Sequence, residues 1–295
     1  MEVKTIHVEA STFCNSRCPL CPRNLYGYNI PGVYPEVNLS LDTLKKILIN
    51  YPHRNYVYFN GNLGDPMMNP DIASLAGITS CLTSITTNGS IGRKETWENL
   101  AQQKIHVTFS IDGLEDTNHL YRQDVQWSKI MERVDWYVSA GGKATWKFIV
   151  FRHNQHQVEQ ARSMSKYLGF KNFQVENHGR NYGPALDNNG NITHWILPHD
   201  SNLKPQLYDV AAGIERYKTD HWNFGNHVEK IYDIDCEHER DHMIFINALG
   251  KISPCCYQGF EVPNKKMIEL EQFKDLKKNW GNKDCNKVCA SSCGK

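Results

Sequence analysis

The chain contains 295 residues, of which 40% are hydrophobic and 22% are charged, so a disordered, collagen-like or coiled-coil chain is excluded. Lys and Arg number 33 against 32 Asp and Glu, a net charge of +1 that creates no field attracting nucleic acid or an anionic membrane. No apolar run reaches the length of a membrane span, and residues 1–5 lack the apolar stretch of a secretory signal. We therefore expect a cytoplasmic protein with no membrane or nucleic-acid partner, whose ten cysteines serve metal binding or catalysis.

Strand-like and helix-like patterns alternate through the first 176 residues. Six strands are predicted, at residues 4–10, 56–59, 82–87, 106–111, 145–151 and 172–176. Five helices are predicted between them, at residues 40–50, 70–75, 94–103, 128–139 and 155–167. Such units form a parallel sheet whose functional loops follow the carboxyl ends of the strands. Because the units fall two short of a closed eight-unit barrel, the predicted fold is α/β, a partial (β/α)6 TIM-like barrel.

The alternation stops near residue 177. Residues 181–190 are rich in turn formers, residues 207–217 predict one further helix, and residues 245–253 predict a hairpin. We expect a core domain at 1–180, a connector at 181–235 and a small hairpin-plus-helix domain at 236–295.

Three cysteines with CX3CX2C spacing follow the first predicted strand directly: Cys14, Cys18 and Cys21. Thiolates at this spacing suit zinc or an iron–sulfur cluster. Structural zinc is normally closed by four protein ligands, whereas a cluster held by three thiolates leaves one iron open to a substrate or cofactor. The spacing favours the cluster, with a zinc knuckle completed by a distant His as the alternative.

This arrangement resembles the radical S-adenosylmethionine (SAM) enzymes, and three further segments are similar to motifs of that family in chain order. Gly64-Asp65-Pro66 resembles the Gly-Gly-Glu-Pro motif after strand two, with Asp in place of the usual Glu. Thr86-Thr87-Asn88-Gly89 resembles the Thr-Asn-Gly end of strand three. Ser110-Ile111-Asp112-Gly113, followed by Tyr121-Arg122, resembles a pattern after strand four in peptide-modifying members.

The resemblance implies a [4Fe–4S] cluster on Cys14, Cys18 and Cys21 and an enzyme that reductively cleaves SAM to a 5′-deoxyadenosyl radical, which abstracts a substrate hydrogen. It also implies an electron donor such as flavodoxin or ferredoxin. The SAM-binding residues implied are Gly61, Gly64, Asp65, Thr87, Asn88, Ser110, Asp112 and Arg122. The candidates for a base near the barrel mouth are Asp112, Glu176 and His178.

The remaining cysteines gather near the C terminus. Cys236 and Cys255 enclose a CX13GX4C pattern that is similar to the opening of SPASM/Twitch extensions, which carry auxiliary clusters. Cys285, Cys289 and Cys293 follow as CX3CX3C, a spacing that places them on one face of a helix. The six cysteines from Cys236 onward are one fewer than the seven that two SPASM clusters use. The resemblance therefore implies one auxiliary [4Fe–4S] cluster on Cys236, Cys255 and two of the last three cysteines.

We expect an enzyme of oxidoreductase type, a dehydrogenase or a peptide maturase, which oxidises or crosslinks a peptide or a small polar substrate with the help of the auxiliary cluster. Two alternatives stay open at this point. One is a non-catalytic binding module stapled by zinc at both cysteine groups, and the other is a radical SAM enzyme that modifies nucleic acid.

Overall fold

Parallel strands wrapped by helices dominate the computed structural model, which describes residues 2–176, 182–220, 233–259, 267–278, 289 and 293. The strands are β1 Thr5–Val8, β2 Tyr56–Asn60, β3 Leu82–Thr87, β4 His106–Ser110, β5 Ala144–Ile149, β6 Asn172–Glu176, β7 Gly183–Leu186, β8 Ile192–Ile196, β9 Met243–Ile246 and β10 Ile252–Ser253. The α-helices are α1 Leu41–Leu48, α2 Ile72–Gly77, α3 Lys94–Gln102, α4 Asn118–Tyr121, α5 Trp127–Ser139, α6 Val158–Tyr167, α7 Val210–Asp220, α8 Glu237–Arg240 and α9 Phe273–Lys277.

The main sheet has eight strands in the order β10-β9-β1-β2-β3-β4-β5-β6. Strands β1 to β6 are parallel and adjacent in chain order, as the alternating pattern predicts. The sheet is open, because β6 and β10 stand at its two edges. The predicted partial TIM-like barrel is therefore confirmed, and the carboxyl ends of its strands meet on one side.

A C-terminal hairpin extends this sheet. Strand β9 pairs in parallel with β1, from Thr5 opposite Met243 to Val8 opposite Ile246, and β10 returns antiparallel to β9. All four residues of β9 are buried, which is typical of an apolar strand covered on both faces. The predicted hairpin is confirmed, and its position beside the first strand of the chain is a finding of the structure.

The connector contains more regular structure than its turn-rich sequence indicates. Strands β7 and β8 form an antiparallel hairpin, whose turn is held by the Asp187 carboxylate. That carboxylate accepts hydrogen bonds from the amides of Asn189 and Asn191 at 2.8 Å each. Because turn-forming residues dominate this segment, the two short strands beside the turn are not recognisable from the sequence pattern. The helix predicted at 207–217 is confirmed as α7, three residues later in the chain.

Aromatic side chains fill the layer between the sheet and the helices α3 and α5. Trp97 stacks on Phe109 with ring centroids 5.2 Å apart, and Tyr137 and Trp146 are fully buried beside them. The predicted cap of α1 is present, since Ser40 Oγ accepts the amide of Thr43 at 3.2 Å. The longest described helix, α5, has 13 residues, so no described helix is long and apolar enough to cross a bilayer.

Candidate functional site

A cavity of about 880 Å³ opens at the carboxyl ends of the parallel strands; we call it the large cavity. Four of the segments that line it carry most of the lining residues. They are the N-terminal cysteine loop (residues 14–26), the loop at residues 60–65, the end of β3 and the helix α7. Its volume suits a cofactor together with part of a substrate.

The three N-terminal thiols all border this cavity. The amide of Cys21 donates to the carbonyl of Cys18 at 2.9 Å, which fixes the turn between them. Ser16 contacts both other sulfurs, with its amide donating to Cys14 Sγ at 3.4 Å and its hydroxyl 3.1 Å from Cys18 Sγ. Burial raises the pKa of the Cys14 thiol, so a bound metal centre is what would hold it as a thiolate.

The donor set fits a cluster. Within the described part of the chain, no three His, Cys, Asp or Glu side chains converge as the ligands of one metal ion do. The three thiols instead border an open cavity, where Cys14, Cys18 and Cys21 would hold a [4Fe–4S] cluster and leave one ligand position to SAM.

Two glycines allow the loop after β2 to pack against the loop after β1. A Cβ atom on Gly61 would lie 1.6 Å from the carbonyl oxygen of Gly64, and a Cβ on Gly64 would lie 2.0 Å from that of Ser11. Backbone therefore approaches backbone so closely that no larger residue fits. Both glycines line the large cavity, so the packed loop forms part of its wall.

Asp65 joins this loop to the end of β3. Its carboxylate accepts hydrogen bonds from the Thr87 hydroxyl at 2.7 and 2.9 Å, from the Asn88 amide at 2.8 Å and from the Met67 amide at 3.0 Å. The side chain of Asn88 in turn donates to Asn15 in the N-terminal cysteine loop at 2.8 Å. Thus Asp65 and Asn88 fix the relative positions of three loops that line the cavity.

A buried ion pair supports the same wall. Arg122 Nε donates to Asp112 Oδ2 at 2.7 Å, and Arg122 Nη1 donates to Cys18 Sγ at 3.5 Å. Asp112 also accepts the amide of Ile149 at 2.6 Å, and its side chain is wholly buried. Arg122 therefore presents its charge to a cysteine sulfur, an interaction that stabilises a thiolate.

The structure brings most of the sequence-predicted residues together. All eight implied SAM-binding residues except Asp112 line the large cavity; they are Gly61, Gly64, Asp65, Thr87, Asn88, Ser110 and Arg122. Asp112 lies behind Arg122, where it orients the guanidinium. Of the other candidate bases, Glu176 pairs with Lys147 at 2.6 Å, and His178 lies outside the described residues.

Residues 8–163, which are 156 of the 295, match the family model described as the Radical SAM superfamily. The chain belongs to the radical SAM superfamily. The family implies a [4Fe–4S] cluster and SAM, and the thiols and glycines described above fit that pair of cofactors. No curated protein matches the sequence.

Solved structures share the fold of this radical SAM protein. Streptococcus suis SuiB bound to S-adenosylmethionine superposes with a TM-score of 0.57 at 17% identity, over 99% of this chain and 68% of SuiB. SuiB bound to precursor peptide SuiA gives 0.59 at 16% identity, over 99% and 67%. The protein anSMEcpe with bound AdoMet and Cp18Cys peptide gives 0.54 at 14% identity, over 98% and 88%. At these identities the likeness concerns the fold alone.

A second, much smaller cavity of about 10 Å³ lies near the C terminus; we call it the C-terminal cysteine pocket. Four cysteines line it: Cys236, Cys255, Cys289 and Cys293. The amide of Asp235 donates to the carbonyl of Cys293 at 3.0 Å, which ties the two ends of this region together. Burial is the main cause that raises the pKa values of Cys236, Cys255 and Cys293. Cys285 lies outside the described residues.

Several residues of the site carry no signal in a linear motif. Glu9 is buried and accepts the amides of Leu63 and Gly64 at 2.6 and 3.1 Å, so it supports the glycine loop. The sequence signal that could have identified Glu9 is an acidic residue directly after an apolar strand. Tyr257 lines both cavities, and Arg216 on α7 lines the large one. Only the three-dimensional arrangement reveals these two.

Proposed function

We propose that this radical SAM protein uses SAM to oxidise or crosslink a peptide or a small polar substrate in the large cavity. When bound, the cluster and SAM supply a 5′-deoxyadenosyl radical that abstracts a hydrogen atom from the substrate. The observation that carries the proposal is the convergence of Cys14, Cys18 and Cys21 with the glycine loop on one cavity. A flavodoxin or ferredoxin is the electron donor in this proposal.

The residues of the chain divide the remaining tasks. Cys14, Cys18 and Cys21 bind the cluster, and the backbone of Gly61 and Gly64 gives SAM room beside it. Arg122 holds a positive charge against Cys18 Sγ, while the buried carboxylate of Asp112 fixes that guanidinium.

A peptide substrate is supported by two kinds of observation. The Ser-Ile-Asp-Gly segment at residues 110–113 resembles that of peptide-modifying members, and two proteins of similar fold have peptides bound in their structures. The zinc-stapled binding module finds no support in the core, because the family consists of SAM-dependent enzymes. The net charge of +1 gives no support to a nucleic-acid substrate.

We also propose that Cys236, Cys255, Cys289 and Cys293 hold one auxiliary [4Fe–4S] cluster in the domain at 236–295. The support is that these four thiols line one pocket. Four thiolates close every iron, so no ligand position is left for a substrate. When bound, such a cluster supplies a one-electron acceptor, which makes the overall reaction a two-electron oxidation.

The test is the iron and acid-labile sulfide content per chain after anaerobic reconstitution, read together with 5′-deoxyadenosine release. We expect about eight irons in the wild type and about four in a Cys14/Cys18/Cys21→Ala variant, which releases no 5′-deoxyadenosine. A Cys81→Ala variant is the control and keeps both. Stoichiometric zinc without iron contradicts the proposal.

A second set of variants identifies the auxiliary ligands. Cys289→Ala and Cys293→Ala each lower the iron content by about four. Cys285→Ala, in the same CX3CX3C pattern, leaves the iron content unchanged and is the matched control. Loss of iron in the Cys285 variant, with none in the Cys289 variant, contradicts this ligand set.

A further inference from the structure

Helix α7 forms the wall of the large cavity that faces the N-terminal cysteine loop. Gly213, Arg216 and Tyr217 line the cavity at helical spacing. Tyr217 is buried, and its hydroxyl donates to the carbonyl of Pro22 at 3.0 Å, next to Cys21. It also forms a hydrogen bond with the hydroxyl of Tyr34. Tyr217, the residue after Arg216, thus anchors helix α7 on the N-terminal cysteine loop.

Arg216 lines the large cavity together with two tyrosines, Tyr26 and Tyr208. The Tyr208 hydroxyl packs against Gly213, one helical turn before Arg216, where an added Cβ would lie 2.2 Å from it. Burial raises the pKa values of Tyr26 and Tyr208, and the positive charge of Arg216 opposes that rise at both. The two rings pack edge to face with centroids 5.2 Å apart, which fixes their positions. One cation and two hydroxyls therefore face the same part of the cavity.

The other charges of the cavity already have partners. Arg122 is paired with Asp112 at 2.7 Å, and Lys147 is paired with Glu176 at 2.6 Å. The Asp65 carboxylate is occupied by its four hydrogen bonds. Among the residues that the structure describes, no carboxylate forms an ion pair with Arg216, whose side chain is exposed. Arg216 is consequently the only cation among the described lining residues that forms no ion pair.

We propose that Arg216 binds a carboxylate of the substrate, with the hydroxyls of Tyr26 and Tyr208 donating to the same group. The inference rests on the proposed function and names its substrate class, a carboxylate-bearing molecule. A planar guanidinium binds a carboxylate through two parallel hydrogen bonds and so fixes orientation as well as position. Anchoring at α7 directs the rest of the substrate across the cavity toward the N-terminal cysteine loop.

The carboxylate has two sources, an acidic peptide side chain and a small carboxylic acid, and two probe pairs distinguish them. The peptide pair is acetyl-Ala-Glu-Ala-amide and its Gln counterpart, and the small-molecule pair is glutarate and glutaramide. Binding to the reconstituted, SAM-loaded holoenzyme is measured by equilibrium dialysis at low and high salt. Release of 5′-deoxyadenosine is measured in parallel.

We expect at least one acidic probe to bind about tenfold or more tightly than its neutral counterpart, as a charge-assisted pair provides. Arg216→Gln removes the preference, Arg216→Lys retains part of it, and high salt weakens it. Lys218→Gln, on the same helix but outside the cavity lining, leaves the preference unchanged and is the matched control.

The outcomes separate the two proposals. Equal binding within both probe pairs, or a preference that survives Arg216→Gln, overturns the carboxylate site. The wild-type holoenzyme reduced with dithionite in the absence of probe tests the proposed function by itself. If it releases no 5′-deoxyadenosine the proposed function fails, whereas release without a charge preference overturns only the role of Arg216.

Discussion

The N-terminal and C-terminal cysteines occupy surroundings of opposite kinds. Three thiols of the N-terminal loop border a cavity of about 880 Å³, whereas the four thiols of the C-terminal cysteine pocket surround about 10 Å³. The first group follows a parallel strand, at the side of the sheet where the loops leave space. The second lies beside a hairpin, in a pocket that Phe273 also lines. Thiols of one chain thus lie beside a wide cavity or enclose a narrow one, according to the backbone that presents them.

The largest expected effect concerns the ion pair behind the open site. Asp112→Ala leaves the buried guanidinium of Arg122 without its carboxylate, which costs about 3–5 kcal/mol of folding free energy. We expect the melting temperature to fall on the order of 10 °C. The measurement is thermal unfolding followed by circular dichroism. Asp112→Asn keeps the acceptor for the Ile149 amide and is the milder control; equal melting temperatures for both variants and the wild type would contradict the role of the pair.

Glu9 stands between the two regions and predicts a pH effect. Burial raises its pKa to about 7, although the Leu63 and Gly64 amides oppose this. Burial raises the pKa of Cys256 to about 12, and the charge of Glu9 adds to that rise. Because the folded-state pKa of Glu9 lies above its usual 4.5, its contribution to stability is present below about pH 4.5 and is lost as the pH rises through about 7.

Glu9→Gln keeps an acceptor for the two amides but does not titrate. The stability of this variant relative to wild type should therefore rise between pH 5 and pH 8, by up to about 3 kcal/mol. Comparing variant with wild type at each pH cancels the titration of other groups, such as buried His7. A difference that is constant with pH would show that Glu9 has its ordinary pKa.

Metal removal tests whether the two cysteine sites release iron at different rates. A variant that keeps only the proposed C-terminal site (Cys14/Cys18/Cys21→Ala) and one in which that site is disrupted (Cys289→Ala) are each reconstituted and treated with a chelator. The N-terminal site should lose iron about tenfold faster or more, because one of its irons lacks a protein ligand. The measurement is the decay of cluster absorbance. SAM should slow the loss of iron from the N-terminal site and leave the rate of loss from the C-terminal site unchanged. Equal rates of iron loss in both variants would contradict the difference between the two sites.

The smallest expected effect lies outside both regions. Ser40→Ala removes the cap of α1 and should lower the free energy of unfolding by about 1 kcal/mol. Iron content and 5′-deoxyadenosine release should stay at wild-type levels, as read from the same reconstituted samples. A loss of iron in this variant would mean that the cysteine sites respond to any destabilisation of the fold, which would weaken every other comparison.

Local patterns made much of the molecule predictable. The six strands and the thiols of the N-terminal loop are encoded in short segments, because periodicity and spacing act over a few residues. The positions of β9, Glu9 and Arg216 depend on contacts between distant parts of the chain. The Tyr217 hydroxyl, for example, contacts Pro22 across 195 residues. Burial and charge pairing between residues so far apart leave no pattern that can be recognised in a short stretch of sequence. The C-terminal spacing likewise gave three candidate cysteines; the folded chain places Cys289 and Cys293 at the pocket, and Cys285 lies outside the described residues.

The pairing of β9 with β1 also shapes how the chain reaches its native state. Strand β1 carries the buried side chains of Ile6 and Val8, and one of its two edges pairs with residues 243–246. During synthesis that edge remains open until more than four fifths of the polypeptide has emerged, and an open edge of this kind is prone to pair with another chain. Contacts so distant in sequence also slow folding. Truncation before residue 243 should therefore yield an aggregating product, however intact the earlier strands are.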